Sequence, residues 1–169
     1  MPAHHEQKDL PYPAPFLFDL VADVASYPEF VPWCVGAKIL RCGDSWFIAD
    51  LGIGYKMIKE RFTSKVLLTP HQAVDVEYYD GPFKSLSNRW RFHPIDDQNC
   101  RVEFELEFAF KSRLLHALVE GLFLEVVRHM VGAFEKRAAE KSAQQLVQIP
   151  CPTVKQSTYN DETWAKSIR

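Results

Sequence analysis

The sequence predicts an α+β domain in which an antiparallel sheet of consecutive hairpins has one face covered by a long C-terminal helix. Three observations predict it. Val102, Phe104, Leu106, Phe108 and Phe110 alternate with Arg101, Glu103, Glu105, Glu107 and Ala109, the period-two pattern of a strand with one dry and one wet face. Upstream, short runs rich in β-branched and aromatic residues are separated by turn-forming residues. Downstream, residues 114–138 contain no proline, and Leu115, Leu118, Val119, Leu122, Phe123, Val126, Met130, Ala133 and Phe134 fall within one half of a helical wheel. A sheet with one apolar face needs such a cover.

The elements follow in chain order. After a polar leader, Pro13, Ala14 and Pro15 precede Phe16, Leu17, Phe18, Leu20, Val21 and Val24, which reads as a short helix opened by proline. Pro28 is expected to end it. Pro28 and Pro32, interleaved with the rings of Tyr27, Phe30 and Trp33, indicate a kinked connection or helical turn. Strands are expected over 37–41, 46–55, 57–68, 73–79, 84–93 and 100–110. Asp80, Gly81 and Pro82 supply one turn, and Pro94, Asp96, Asp97 and Asn99 supply the next. Gly52 and Gly54 mark a bulge or a close approach. Ser112 is placed to cap the long helix. Past Gln148 the periodicity is lost, so residues 1–148 are read as one domain and 149–169 as a flexible C-terminal tail.

Apolar residues make up 47% of the 169 residues and charged residues 25%, enough to bury a core without outside help. A formal charge of -2 gives no broad attraction for a phosphate backbone, so DNA is not an expected partner. Cys34, Cys42, Cys100 and Cys151 lack the close spacing of a zinc knuckle or redox pair and are read as free thiols of a reducing compartment. The polar start carries Glu6 and Asp9 and lacks the apolar run of a secretory signal. The expected location is therefore the cytoplasm, with any membrane contact peripheral and at the inner membrane.

No nucleophile-elbow, metalloprotease, phosphate-loop or dinucleotide motif is present. No catalytic residue, metal site or required cofactor is therefore expected, and the protein is read as a non-enzyme. Two polar side chains fall among apolar ones: His129 inside the apolar arc of the wheel, and Glu60 on the strand parity of Ile58, Phe62 and Val66. Either they find local partners, or they project into a cavity and orient a carbonyl-bearing ligand. Phenylalanine supplies 12 of the aromatic residues, and rings in excess either fill a core or line an apolar cavity. On the second alternative Phe30 and Trp33 stand at the entrance, and Phe62, Trp90, Phe104, Phe123, Val126 and Met130 along the wall, with Glu60 and His129 as polar contacts. Lys84, Arg89 and Arg91 are read as a modest positive surface.

Several strings are familiar: LPY at 10–12, LFDLVADVASYPEFVPWC at 17–34, ERFTSKVLL at 60–68, and FAFKSRLLHALVEGLF at 108–123 followed by MVGAFEKRA at 130–138. Through them the chain resembles the coenzyme Q-binding protein family of the START-like (polyketide cyclase and lipid transport, helix-grip) superfamily. The resemblance implies a strongly curved antiparallel sheet wrapped around the C-terminal helix, and an N-terminal edge strand near residues 5–10. It also implies binding of ubiquinone or a related polyprenyl lipid, as a carrier or chaperone that supports quinone synthesis and respiratory electron transfer. Bacterial relatives described as ribosome-association toxins carry the same strings, so a regulator that binds a ribosomal subunit is the alternative. A polyketide cyclase or dehydratase is a further one.

Overall fold

The computed structural model describes residues 3–143. The chain runs β1 (Ala3–Leu10), α1 (Ala14–Ala22), a 3-10 helix (Val24–Glu29), β2 (Cys34–Cys42), β3 (Trp46–Tyr55), β4 (Ile58–Thr69), β5 (Ala73–Asp80), β6 (Phe83–Pro94), β7 (Cys100–Phe110), α2 (Arg113–Glu120) and α3 (Phe123–Ala143). All seven strands form one antiparallel sheet in the order β1-β7-β6-β5-β4-β3-β2. β2 to β7 are a meander, as expected, and β1 adds the edge strand that the family resemblance implies. The sheet curves, and its inner face meets the C-terminal helices. Residues 149–169, read as a tail, lie outside the described residues.

Inward side chains on alternate positions build the core. Phe47, Ala49 and Leu51 of β3, Phe62, Ser64 and Val66 of β4, and Val102, Phe104 and Phe108 of β7 are all buried, on the parity that a one-faced sheet demands. From α3, Phe123, Val127, Met130, Phe134 and Ala138 are buried. Their spacings of three and four residues make a single stripe along the helix. A Cβ on Gly54 would lie 2.6 Å from Cγ1 of Val35, so this glycine lets two strands approach closely.

Four expectations are corrected. The first helix ends at Ala22, and Pro28 sits inside the following 3-10 helix. Pro28 opens a second 3-10 turn, closed by Phe30 N–H donating to the Tyr27 carbonyl at 3.1 Å, in which the missing proline N–H is not called on. The single C-terminal helix is divided at Gly121 and Leu122, where Leu122 N–H donates to the Val119 carbonyl at 2.9 Å. Glycine is among the weakest helix formers, and the break falls there. Ser112 nevertheless caps α2 as expected, accepting from Leu115 N–H at 3.2 Å. Cys34 and Cys100 are free thiols, but Cys42 is disulfide-bonded, a pairing that local spacing does not reveal. The positive surface on β6 is offset, because Arg91 pairs with Asp75 at 2.8 Å and Arg89 sits in register with Asp75 and Glu105.

The edge strand is fastened by charge. Arg101 holds Asp9 at 2.7 and 3.1 Å, His5 meets Glu103 at 2.8 Å, and Lys8 pairs with Glu135 of α3. Hydrogen bonds from Arg101 hold the Asp9 carboxyl below its ordinary value of 3.8, and those from His5 and His93 hold Glu103 below 4.5. A carboxyl whose folded value is depressed adds stability above its unfolded value and loses it as pH falls through the folded one. Acidification below about pH 4 is therefore expected to loosen β1 ahead of β3 and β4. Amide exchange of Ala3–Leu10 should accelerate first; uniform loss of protection across the sheet would refute the electrostatic fastening.

Candidate functional site

Between the inner face of the sheet and the helices lies a cavity of about 150 Å³. Phe62 and Ser64 of β4, Leu106 and Phe108 of β7, and Val126 and Met130 of α3 are among its walls. No Asp, Glu, Lys, Arg or His among the described residues lines it. An unpaired charge in such a place would be strongly disfavoured, so the cavity selects uncharged molecules. An apolar cavity of roughly this size takes one benzene-sized ring. A second cavity of about 50 Å³ lies beside α1 and shares the Trp90 and Phe134 walls.

The polar groups on the lining are those of Tyr27, Tyr55, Ser64 and Asn88 and the indoles of Trp33 and Trp90, and several are already engaged. Tyr27 Oη donates to the Val21 carbonyl at 2.5 Å; burial, with Asp23 and Cys34 nearby, raises its pKa and keeps it a neutral phenol. Asn88 Nδ2 donates to the Glu105 carbonyl at 3.0 Å, and its Oδ1 accepts from Trp90 Nε1 at 3.1 Å. Tyr55 bonds Glu125. Nearby, burial pushes the Cys34 thiol up to about 12, so it remains a thiol and not a nucleophile.

The site residues expected from sequence divide into four groups. Trp33, Phe62, Trp90, Val126 and Met130 line the larger cavity. Phe104 lines the smaller one and packs on Trp90 with centroids 4.5 Å apart. Phe123 is buried against Phe108 at 5.4 Å, and Phe30 packs against Tyr27 and Phe134 at 5.7 and 5.1 Å under the Arg137 guanidinium. His129 is exposed. The break at Gly121 changes the helical phase, so a wheel counted from Leu115 misplaces α3; His129 lies about 140° from the centre of the buried stripe at 100° per residue. Glu60 is half-buried opposite Ile53, near the β3–β4 turn, and does not line the cavity. The polar residue that sequence reasoning passed over is Ser64, on the same parity as Phe62 and Val66.

Large apolar side chains stand exposed on α2, at the start of α3 and on the β3–β4 turn. Leu114 is 82% exposed, Leu124 58% and Met57 88%. Met57 occupies the β3–β4 turn, whose Lys56 reaches Glu125 of α3 at 3.4 Å. Tyr55, Ile58 and Leu122, each within two residues of Met57 or Leu124, line the cavity. Among the described residues, His5, Glu103 and Glu105 form the one group with metal-ligand spacing. It lies on the outer face of the sheet, away from the cavity. No helix among the described residues is long and apolar enough to cross a membrane.

Comparison with known proteins agrees with this geometry. A family model described as polyketide cyclase / dehydrase and lipid transport matches residues 10–135. The chain is 37% identical over 131 residues to the ribosome association toxin RatA of Escherichia coli, covering 78% of this chain and 83% of that protein. It is 36% identical over 150 residues to the coenzyme Q-binding protein COQ10 homolog B of Xenopus laevis, covering 86% of this chain and 62% of that longer protein. Among solved structures, the 18 kDa protein CC1736 from Caulobacter crescentus is 36% identical with a TM-score of 0.68, covering 86% of this chain and 100% of that one. The Zhui aromatase/cyclase from Streptomyces has a TM-score of 0.74 at 15% identity, covering 83% of this chain and 95% of that one, and shows the shared fold alone.

Proposed function

Since this chain belongs to the polyketide cyclase / dehydrase and lipid transport family, we propose that it binds an isoprenoid quinone such as ubiquinone, or a related polyprenyl lipid, as a carrier and not as an enzyme. The observation that carries this reading is the uncharged cavity between α3 and the sheet, lined almost wholly by apolar side chains. Burying apolar ligand surface there is favourable by about 25 cal/mol per Å² before binding costs. At about 150 Å³ the cavity takes a ring or one isoprene unit, so a longer tail enters by parting α2 and α3 from the sheet. The exposed Leu114, Leu124 and Met57 mark where that opening meets an apolar phase, in peripheral contact with the inner membrane from the cytoplasm. Among the described residues no charged side chain lines the cavity and the nearby Cys34 thiol is held protonated by burial, which supports a carrier over a cyclase.

Two measurements test it. Organic extraction of protein purified from its native host, followed by mass spectrometry, should recover an isoprenoid quinone; reproducibly empty protein would count against a carrier. Val126→Phe places a ring in the cavity and should weaken quinone binding at least tenfold while leaving the melting temperature level or raised. Unchanged affinity would move the ligand elsewhere.

The identity to ribosome association toxins supports a second reading, a regulator that binds a ribosomal subunit. Salt-sensitive cosedimentation with ribosomal subunits, weakened by Lys84→Ala and Arg89→Ala, would favour it. Arg91 is already paired with Asp75 and should contribute less.

A further inference from the structure

We propose that Ser64 is the anchor for an uncharged oxygen, a carbonyl in the first instance, on the molecule that the cavity holds. The inference rests on the cavity being a ligand site, and it names the chemistry of the ligand's polar end. Ser64 is 0% exposed, and its Oγ has no hydrogen-bond partner among the described residues. It lines the cavity between Phe62 and Val66. A buried hydroxyl left unpaired is costly, and native proteins rarely keep one without a reason. Alanine at the same position would remove that cost.

The backbone supports the assignment. Ser64 sits opposite Ala49 on β3 and Tyr78 on β5, and the β4–β5 register slips between Thr63 and Ser64. Such irregularities re-aim side chains and recur beside functional sites. Of the other polar groups of the lining, Tyr27 is engaged with Val21 and Asn88 with both Glu105 and Trp90, Tyr55 stands beside the Glu125 carboxylate, and Trp33 is only half-buried. Ser64 thus supplies a fully buried, uncommitted donor in an apolar surround, where a single hydrogen bond discriminates strongly between a ligand that carries an acceptor and one that does not. With no charged residue on the lining, a carboxylate or phosphate would lack a counter-charge, so the favoured ligand end is a ketone- or quinone-type oxygen.

The test compares two small probes of similar shape, acetophenone and ethylbenzene, titrated into the full chain and into Ser64→Ala, with affinities followed by NMR shift changes. Ser64→Ala is expected to weaken acetophenone about five- to tenfold, the worth of one net hydrogen bond, and to leave ethylbenzene unchanged. Its ligand-free melting temperature should be equal to or above that of the parent. Ser64→Cys, which keeps a weak donor in similar volume, should fall between the two. Equal affinities for both probes in parent and variant would overturn the anchor while leaving the cavity a binding site. A lower melting temperature for ligand-free Ser64→Ala would overturn it too, since the hydroxyl would then serve the fold. If neither probe binds the parent, the cavity reading and the anchor fall together.

Discussion

Phe134→Ala is expected to cost about 3–5 kcal/mol of folding stability and to change the size of ligand that the protein accepts. The ring of Phe134 meets those of Tyr27, Phe30 and Trp90 at centroid distances of 5.4, 5.1 and 5.2 Å, so its removal takes one ring contact from each of three aromatic neighbours. It also lines both cavities, the larger of about 150 Å³ and the smaller of about 50 Å³. Truncation joins them into one chamber reaching from Phe62 to Phe104. Domains of this size are stable by only roughly 5–15 kcal/mol, so the loss is a large share of the total. A denaturant midpoint gives the stability change, and thermal shift with quinones of increasing tail length gives the ligand preference. A loss below about 1 kcal/mol, or an unchanged preference, would show that Phe134 neither holds the core nor divides the cavities.

Gly81→Ala should be nearly as damaging, although it adds only a methyl group. Gly81 has φ of +142°, a region that side-chain-bearing residues avoid at a cost of about 1–3 kcal/mol. Space is also lacking: a Cβ there would lie 2.7 Å from the Phe62 Cβ and 2.9 Å from the Arg61 carbonyl oxygen. Neither obstacle is the end of a flexible chain, so β4 itself must move. Phe62 packs edge-on against Phe83 at 5.3 Å and faces the cavity, so the displacement reaches the ligand site. The expected outcome is a loss of at least 2 to 3 kcal/mol, roughly the strain and crowding together, with weakened quinone binding. Retained stability would mean that the β5–β6 turn can adopt another conformation.

Much of this architecture was legible before any coordinates. Strands over 46–55 and 100–110 appear with the expected bounds, because period-two alternation and the flanking turn residues are local signals that tertiary contacts reinforce. β1 is different. His4, His5, Glu6, Gln7 and Lys8 carry no apolar alternation, and the strand exists because β7 offers it an edge and charged partners. The family resemblance supplied it where pattern could not. The wheel over 114–138 identified the apolar cover but not its break, and that error moved His129 from solvent to the site.

The cavity shows the same division. Which residues are apolar, and on which strand face they lie, follows from the order of side chains along the chain, since a strand alternates faces whatever it packs against. Whether those side chains meet or leave a space between them depends on how far the sheet curls and where α3 crosses it, and on distances between residues far apart in sequence. For that reason the aromatic wall residues could be nominated from the chain, whereas the division of the space by Phe134, and the lone hydroxyl of Ser64 facing it, emerged from the packing.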